Sequence, residues 1–228
     1  MSETSRIWVV GAGGIGSVAA GKLGSGASCT MIDGWPANVD EVRANGMRVA
    51  YPEGAVQVAH PIYGEDEIER IPDPPDFVLL AVKSHRTREC VELLLPRLGE
   101  DSVVVSLQNG VNEDLIADLV GRERTLGAVV DFGAEMAGPG RVRGYALDAG
   151  MLVGELDGEI TPRLRHLAGL FDAEIPVEPT DNIWGALWSK LMVNVQVNAL
   201  CALSGLPTDR LAEDRPLRRT AIGLAMEA

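Results

Sequence analysis

The sequence predicts an α/β protein in which a doubly wound parallel sheet is followed by a shortened all-α region. Short apolar runs alternate with amphipathic helical segments as far as residue 172, which is typical of βαβ units. After residue 181 only helical patterns remain. We therefore expect one domain over residues 1–178 and the start of a helical domain over residues 179–228.

The elements follow in order along the chain. The predicted parallel strands are residues 7–10, 28–33, 76–82, 102–110 and a run that begins at 125. The predicted helices are residues 14–24, 38–46, 84–98, 112–120 and 161–172. Alternation over residues 47–61 predicts antiparallel or edge strands, and residues 140–156 predict a hairpin pair. Two helices, broken at residues 204–209, are expected after an N-cap at Thr180 or Asp181.

Charge and cysteine content narrow the class of protein. A net charge of −13 argues against nucleic acid and anionic lipid as partners, because both are polyanions. Cys29, Cys90 and Cys201 are widely spaced and odd in number, which favours free thiols in a reducing compartment over disulfides or a metal site. No secretion signal or membrane-spanning run of about 20 apolar residues stands out. We expect a cytoplasmic protein without a membrane partner or a metal.

A glycine motif predicts the ligand of the first domain. Gly11, Gly13 and Gly16 form G-x-G-x-x-G between a predicted strand and a predicted helix, the context of a Rossmann dinucleotide-binding turn. The first glycine permits the turn, the second admits a pyrophosphate, and the third lets the helix pack closely. The predicted cofactor-binding residues of the turn are Gly11, Ala12, Gly13, Gly14, Ile15 and Gly16.

Asp33 ends the second predicted strand, about 20 residues after the turn, where an acid binds the adenosine ribose. A carboxylate there accepts hydrogen bonds from the ribose hydroxyls and repels a 2′-phosphate. No Lys or Arg lies between residues 34 and 41, so we expect NAD or NADP with NAD favoured. The alternative is that Asp33 only caps or solvates a loop.

A polar stripe interrupts the apolar helix pattern near the end of the chain. Lys190, Asn194 and Asn198 are spaced four residues apart and therefore share one helix face. Polar groups among apolar neighbours need partners or water, because unpaired buried polar groups are costly. The stripe is either a functional site or a solvated face of an amphipathic helix.

Five segments together resemble the ketopantoate reductases (2-dehydropantoate 2-reductases). They are "VVGAGGIGS", "LLAVKSH", "LQNGVN", "MLVGEL" and "LWSKLMVNVQVNAL". The resemblance covers essentially the whole chain. It implies an N-terminal Rossmann domain, an α-helical C-terminal domain, and reduction of ketopantoate to pantoate with a nicotinamide cofactor in the route to pantothenate and coenzyme A.

The same resemblance implies roles for individual residues. Lys190 matches the family's catalytic lysine, and Asn194 and Asn198 match its two substrate-binding asparagines. Asn109 matches a catalytic asparagine near the nicotinamide ribose and the substrate. Lys83 matches a lysine near the cofactor phosphates or the substrate; an ordinary charge at a strand end is the alternative there.

Three features depart from the family pattern. Asp33 stands where well-known members carry a basic residue that reads the NADP 2′-phosphate. Asp131 stands where pantoate-forming enzymes often carry small hydroxyl residues, which leaves the substrate open. The sequence also ends inside a helical pattern, earlier than the family's helical domain normally does. Either the chain is a truncated form, or another subunit supplies the missing wall of the site, or catalysis is impaired. Exposed apolar surface on the last helix would favour homo-oligomers.

Three hypotheses for function remain at this point. The first is a reductase of a small-molecule 2-keto acid, most simply ketopantoate, with Lys190 as general acid. The second is an NAD-dependent dehydrogenase of a different 2-hydroxy acid, which Asp33 and Asp131 allow. The third is a dinucleotide-binding fragment without turnover.

Overall fold

The computed structural model describes residues 4–227, which form twelve strands and eight α-helices. The strands are β1 (Ser5–Val10), β2 (Ala27–Asp33), β3 (Met47–Tyr51), β4 (Gly54–Val58), β5 (Ile62–Gly64), β6 (Phe77–Leu80), β7 (Val103–Ser106), β8 (Thr125–Val130), β9 (Gly133–Gly138), β10 (Arg141–Tyr145), β11 (Met151–Glu155) and β12 (Val177–Pro179). The helices are α1 (Gly14–Gly21), α2 (Pro36–Asn45), α3 (Thr87–Leu94), α4 (Glu113–Val120), α5 (Pro162–Ala168), α6 (Ile183–Ser204), α7 (Thr208–Glu213) and α8 (Arg215–Glu227).

Eight strands form the main sheet in the order β12-β11-β8-β7-β6-β1-β2-β5. All neighbours from β8 to β5 run parallel, β11 runs antiparallel to β8, and β12 runs parallel to β11. The carboxyl ends of β1, β2, β6, β7 and β8 therefore meet at one edge of the sheet. The predicted α/β fold is confirmed.

Both faces of the main sheet are buried, as its continuous apolar runs predict. Along β1, Ile7 and Val9 point into one apolar layer, while Trp8 and Val10 point into the other. The second layer is formed by α3 and α4. A smaller sheet of order β4-β3-β10-β9 packs on α1, which therefore lies between the two sheets.

The predicted hairpin over residues 140–156 is wrong. β10 pairs with β9 and β3 in the small sheet, whereas β11 pairs with β8 and β12 in the main sheet. Between them the backbone turns at Ala146, a non-glycine residue with a φ of 54°. Alternation of apolar and polar residues identifies a strand but not its partner. Two strands that are adjacent in the sequence therefore look like a hairpin even when they belong to different sheets.

The helical region begins later and contains more helices than predicted. Asn182, not Thr180 or Asp181, is the N-cap of α6, and its side chain accepts a hydrogen bond of 3.0 Å from the Gly185 N–H. Three helices follow instead of two, because Pro216 in the first turn of α8 starts a new helix after α7. The domain division at residue 178 stays a prediction.

Helix α6 packs directly on the main sheet. The buried side chain of Ile183 lies against β8 and β11, where a Cβ on Gly127 or Gly154 would be 2.7 Å from its atoms. These glycines therefore allow the close approach of α6. Farther along α6, and on α8, large apolar side chains are exposed. They include Trp188, Val193, Leu203, Ile222 and Met226.

Among the described residues, no helix combines the length and the apolar composition that crossing a bilayer requires.

Glu113 is a fully buried carboxyl at the start of α4. Its Oε2 accepts a hydrogen bond of 2.8 Å from the Asn112 N–H. Burial nevertheless raises the pKa of Glu113, because the charged form loses its water. The carboxyl therefore favours folding most when it is protonated.

We expect Glu113→Gln to change how stability depends on pH. A raised pKa in the folded state gives stability that is fully present below the unfolded pKa of about 4.3 and is lost as pH rises through the folded pKa. Urea unfolding at a series of pH values should show that the free energy of unfolding of Glu113→Gln increases relative to that of the wild type as pH rises. The exposed Glu100→Gln is the control, and a parallel pH dependence of wild type and Glu113→Gln would contradict the assignment.

Candidate active site

The glycine turn joins β1 to α1 at the carboxyl edge of the main sheet. Gly11 has a φ of 96°, a left-handed conformation that favours glycine. Its N–H donates to the Ile32 carbonyl at 2.8 Å, and a Cβ at Gly11 would lie 2.8 Å from the Val82 nitrogen. The turn is therefore packed tightly between the ends of β2 and β6.

Gly13 and Gly16 have opposite surroundings. A Cβ at Gly16 would lie 2.1 Å from the Gly11 carbonyl oxygen, whereas one at Gly13 would have no neighbour within 4 Å. Gly13 is also the N-cap of α1 and provides no side-chain cap, so the N–H groups of the first turn are available to an anion. The residues present therefore fit a dinucleotide pyrophosphate lying over Gly13.

The other residues of the turn hold it in place. The Ala12 carbonyl accepts hydrogen bonds from Ser17 Oγ at 3.0 Å and from Asn38 Nδ2 at 3.2 Å. Gly14 lies so close to β9 that its Cβ would be 2.7 Å from the Ala134 oxygen. The half-buried Ile15 packs on the core. The small sheet thus supports the turn from the side opposite the main sheet.

Asp33 lies at the end of β2 and is half-buried. Its Oδ2 accepts a hydrogen bond of 2.5 Å from Asn38 Nδ2, and its Oδ1 accepts one of 3.3 Å from the Trp35 N–H. Burial raises the pKa of the Asp33 carboxyl, and these hydrogen bonds offset part of the rise. The carboxylate is held in one orientation beside the turn.

One arginine lies near Asp33 in space although it is distant in sequence. Arg86 Nη1 and Glu65 Oε1 lie 2.8 and 2.7 Å from the place that a Cβ on Gly34 would occupy. The guanidinium is held by Glu65 through two hydrogen bonds of 3.0 and 2.9 Å. It also bonds Glu89 at 2.8 Å. Arg86 is therefore already neutralised by carboxylates.

The loops after β6 and β7 are tied together at the same edge of the sheet. Ser84 Oγ donates to the Asn109 carbonyl at 2.9 Å, and Gln108 Nε2 donates to the Val82 carbonyl at 2.8 Å. The side chains of Lys83 and Asn109 are exposed on these two loops. Both predicted residues thus lie beside the glycine turn, while their roles stay predictions.

Lys190 extends from α6 to the end of β8. Its Nζ donates to the Val130 carbonyl and lies 3.3 Å from Asp131 Oδ1. Within residues 4–227, no hydrogen bond joins Lys190 to Asn109. The helix and sheet together bring the lysine to the edge that carries the glycine turn.

The two asparagines of the stripe differ in environment. Asn194 is half-buried, and its Nδ2 has no hydrogen-bond partner among the described residues. Asn198 is exposed one turn farther along α6. A cleft of about 510 Å³ borders Lys190 and Asn194. Its lining residues are Val129, Asp131, Leu152, Ala186, Ser189, Lys190, Val193 and Asn194.

A larger cavity of about 740 Å³ lies elsewhere, between the β3–β4 hairpin and the turn after β10. It shares no lining residue with the Lys190 cleft and does not border the glycine turn. Chemistry rather than size therefore identifies the candidate site. The part of the chain that the structure describes also contains no group of three or more His, Cys, Asp or Glu residues suited to a metal ion.

Sequence reasoning missed four contributors to this edge. The sequence pattern predicts Asn38 only as part of a helix, and it gives no signal for Glu65 or Arg86. It also does not predict the contact of Asp131 with Lys190. Asn38 had one usable signal, since an asparagine five residues after Asp33 is close enough to form a hydrogen bond with it. The other contacts join segments far apart in sequence.

Models of a known family match two parts of the chain. Residues 7–158 match the model described as ketopantoate reductase PanE/ApbA, and residues 182–228 match the model of its C-terminal region. The 2-dehydropantoate 2-reductase of Halobacterium salinarum is 30% identical over 217 residues, which are 94% of this chain and 70% of that protein.

Solved structures agree with the fold. A PanE/ApbA family ketopantoate reductase from Ralstonia eutropha JMP134 superposes with a TM-score of 0.85 at 31% identity, over 97% of this chain and 72% of that one. The ternary structure of D-mandelate dehydrogenase with NADH and anilino(oxo)acetate gives a TM-score of 0.85 at 23% identity, over 95% of this chain and 70% of that one. The second similarity concerns the fold alone.

Two glycine substitutions should separate ligand binding from folding. Gly13→Ala places a methyl group in open space, so it should change the free energy of unfolding by less than about 0.5 kcal/mol. The same methyl group should weaken NADH binding about tenfold or more, because it displaces the phosphates. Gly16→Ala should instead destabilise the fold by about 1–3 kcal/mol.

Thermal unfolding and NADH titration of both variants measure this difference. Unchanged NADH affinity in a stable Gly13→Ala protein would show that no phosphate lies over Gly13.

Proposed function

Because the chain belongs to the ketopantoate reductase family, we propose that it reduces a 2-keto acid, 2-dehydropantoate in the simplest case, with Lys190 as general acid. The observation that carries the proposal is the position of the Lys190 ammonium. It lies at the end of β8, on the sheet edge that also holds the glycine turn. In open α/β sheets ligands bind at this edge.

Reduction of a ketone needs a hydride at carbon and a proton at oxygen. A bound reduced nicotinamide supplies the hydride. Lys190 polarises the carbonyl oxygen while negative charge develops there, and it then donates a proton from Nζ. Contact with Val130 and Asp131 keeps the ammonium at the border of the cleft, where it meets the substrate oxygen.

The other stripe residues serve substrate binding in this proposal. The unpartnered Nδ2 of Asn194 is a donor that an anionic substrate can satisfy, which offsets the cost of burying that group. Asn198 extends the same face, and Asn109 and Lys83 approach from the loops after β7 and β6. The loops tied by Ser84 fix the backbone that carries Asn109.

We further propose that NAD is preferred to NADP. The cofactor is a nicotinamide dinucleotide, and in this proposal its adenosine ribose lies near the two carboxylates of Asp33 and Glu65, which are close to each other. Arg86, the cation beside Gly34, is bound by Glu65 and Glu89 and is not free to receive a 2′-phosphate. A phosphate there would have to compete with both carboxylates.

The three cysteines are free, and Cys29 and Cys90 are buried. Free thiols suit a reducing compartment, so the cytoplasm is the location that we propose.

The test of the function is oxidation of NADH or NADPH in the presence of 2-dehydropantoate. Turnover with a higher kcat/KM for NADH is the expected result. Absence of turnover with bound NADH still detectable would leave the dinucleotide site and overturn the proposed reaction for this chain.

Lys190→Ala should lower kcat about 10²–10⁴-fold, because the proton donor is lost, while the Kd of NADH stays the same. Lys190→Arg is the matched variant. It keeps the positive charge but does not release a proton near neutral pH, so it should also be slow. Steady-state kinetics and NADH titration measure both effects, and a fully active Lys190→Ala would refute the role.

Asp33→Asn should weaken NADH binding about tenfold, since a charge-assisted hydrogen bond to the ribose is replaced by a neutral one. NADPH binding should improve at the same time, because one repulsive charge is removed. Titrations of both cofactors measure the ratio, with the exposed Asp40→Asn as control. An unaltered ratio would exclude Asp33 from reading the ribose.

A further inference from the structure

Asp131 places a negative charge at the wall of the cleft that contains Lys190. Its carboxylate is 47% exposed and lies 3.3 Å from the lysine Nζ. From this geometry we propose that Asp131 restricts the site to 2-keto acids that carry a single negative charge. The inference rests on the proposed reduction of a keto acid and adds a residue that determines its specificity.

The charges of the cleft support this restriction. Among the residues that line it, Lys190 is the one cation and Asp131 is the one anion. The two neutralise each other before any substrate binds. A keto acid with one carboxylate can place its carbonyl oxygen at the lysine ammonium and its carboxylate at the free Asn194 donor. A second carboxylate has no remaining cation in the lining and meets the charge of Asp131.

The rest of the lining fixes the character of the substrate side chain. Val129, Leu152, Ala186 and Val193 give the cleft apolar walls. Apolar walls favour an aliphatic side chain, whereas Asp131 accepts a hydrogen bond from a hydroxyl group. Both features suit the branched 2-keto acid that the family's name already implies. What Asp131 adds is the exclusion of dicarboxylic keto acids.

A purely positional role for Asp131 makes a different prediction. If Asp131 served only to hold Lys190 in place, its loss would slow the reduction of all keto acids by the same factor. If it repels a second charge, its loss changes the ratio between substrates. The specificity ratio is therefore the measurement that separates the two.

The experiment compares Asp131→Asn with the wild type on three substrates. They are 2-dehydropantoate, 3-methyl-2-oxobutanoate and the dianion 2-oxoglutarate. Asparagine keeps the size of the side chain and removes its charge. We expect kcat/KM for 2-oxoglutarate to rise about tenfold or more relative to the two monoanions. The exposed carboxylate on α4 gives the control Asp118→Asn, which changes the net charge equally and should leave the ratio unaltered.

Binding is measured beside turnover, as quenching of tryptophan fluorescence by each keto acid in the presence of NAD⁺. Trp184 and Trp188 lie on α6 close to the cleft. Selective binding of monoanions without any reduction would support the restriction to singly charged keto acids and overturn the proposed reaction. Two results would overturn the role of Asp131 while the reductase assignment stands. One is equal use of 2-oxoglutarate and the monoanions by the wild type, and the other is an unchanged ratio of their kcat/KM values in Asp131→Asn. Failure of every keto acid to bind would overturn both.

Discussion

The buried amide of Asn38 is the interaction on which the cofactor edge depends. Its Nδ2 donates to the Ala12 carbonyl in the glycine turn and to Asp33 at the end of β2. Its Oδ1 accepts a 2.9 Å hydrogen bond from the Gly140 N–H in the turn between β9 and β10. One side chain therefore fixes the glycine turn, the Asp33 carboxylate and the small sheet relative to one another. Because the amide is fully buried, losing any of these bonds would leave a polar group unpaired.

The second contact that positions the site is the packing of α6 on the main sheet. Two glycines on β8 and β11 admit Ile183 at the start of the helix, and two turns later Lys190 reaches the end of β8. The position of the lysine is thus set by helix packing on the main sheet, not by a loop. Rigid elements hold reacting groups more accurately than loops do. The same contact explains why Asp131 matters, since it is the first residue after β8 and lies beside the lysine by construction.

Much of this was predictable because it depends on local sequence. The glycine turn, the parallel strands and the polar stripe on α6 follow from periodicity and spacing, and the structure has them within a few residues. The partners of strands were not predictable in this way: β10 and β11 are adjacent in sequence but belong to different sheets. The sequence also did not predict the neutralisation of Arg86 by Glu65 or the contact of Asp131 with Lys190. Each of these contacts joins segments that are far apart in the sequence and meet only in the folded chain.

The net charge of −13 and the proposed ligands oppose each other, since both a dinucleotide and a keto acid are anions. The proposed sites account for this locally. In the proposal the phosphates bind backbone N–H groups at the start of α1, which need no side-chain cation. The keto acid would meet the Lys190 ammonium, whose charge is shared with Asp131. Discrimination at both ends of the cleft then comes from carboxylates, Asp33 and Glu65 against a 2′-phosphate and Asp131 against a second substrate charge. An acidic chain can therefore bind anions selectively, because cations such as Lys190 and Arg86 are already paired with carboxylates.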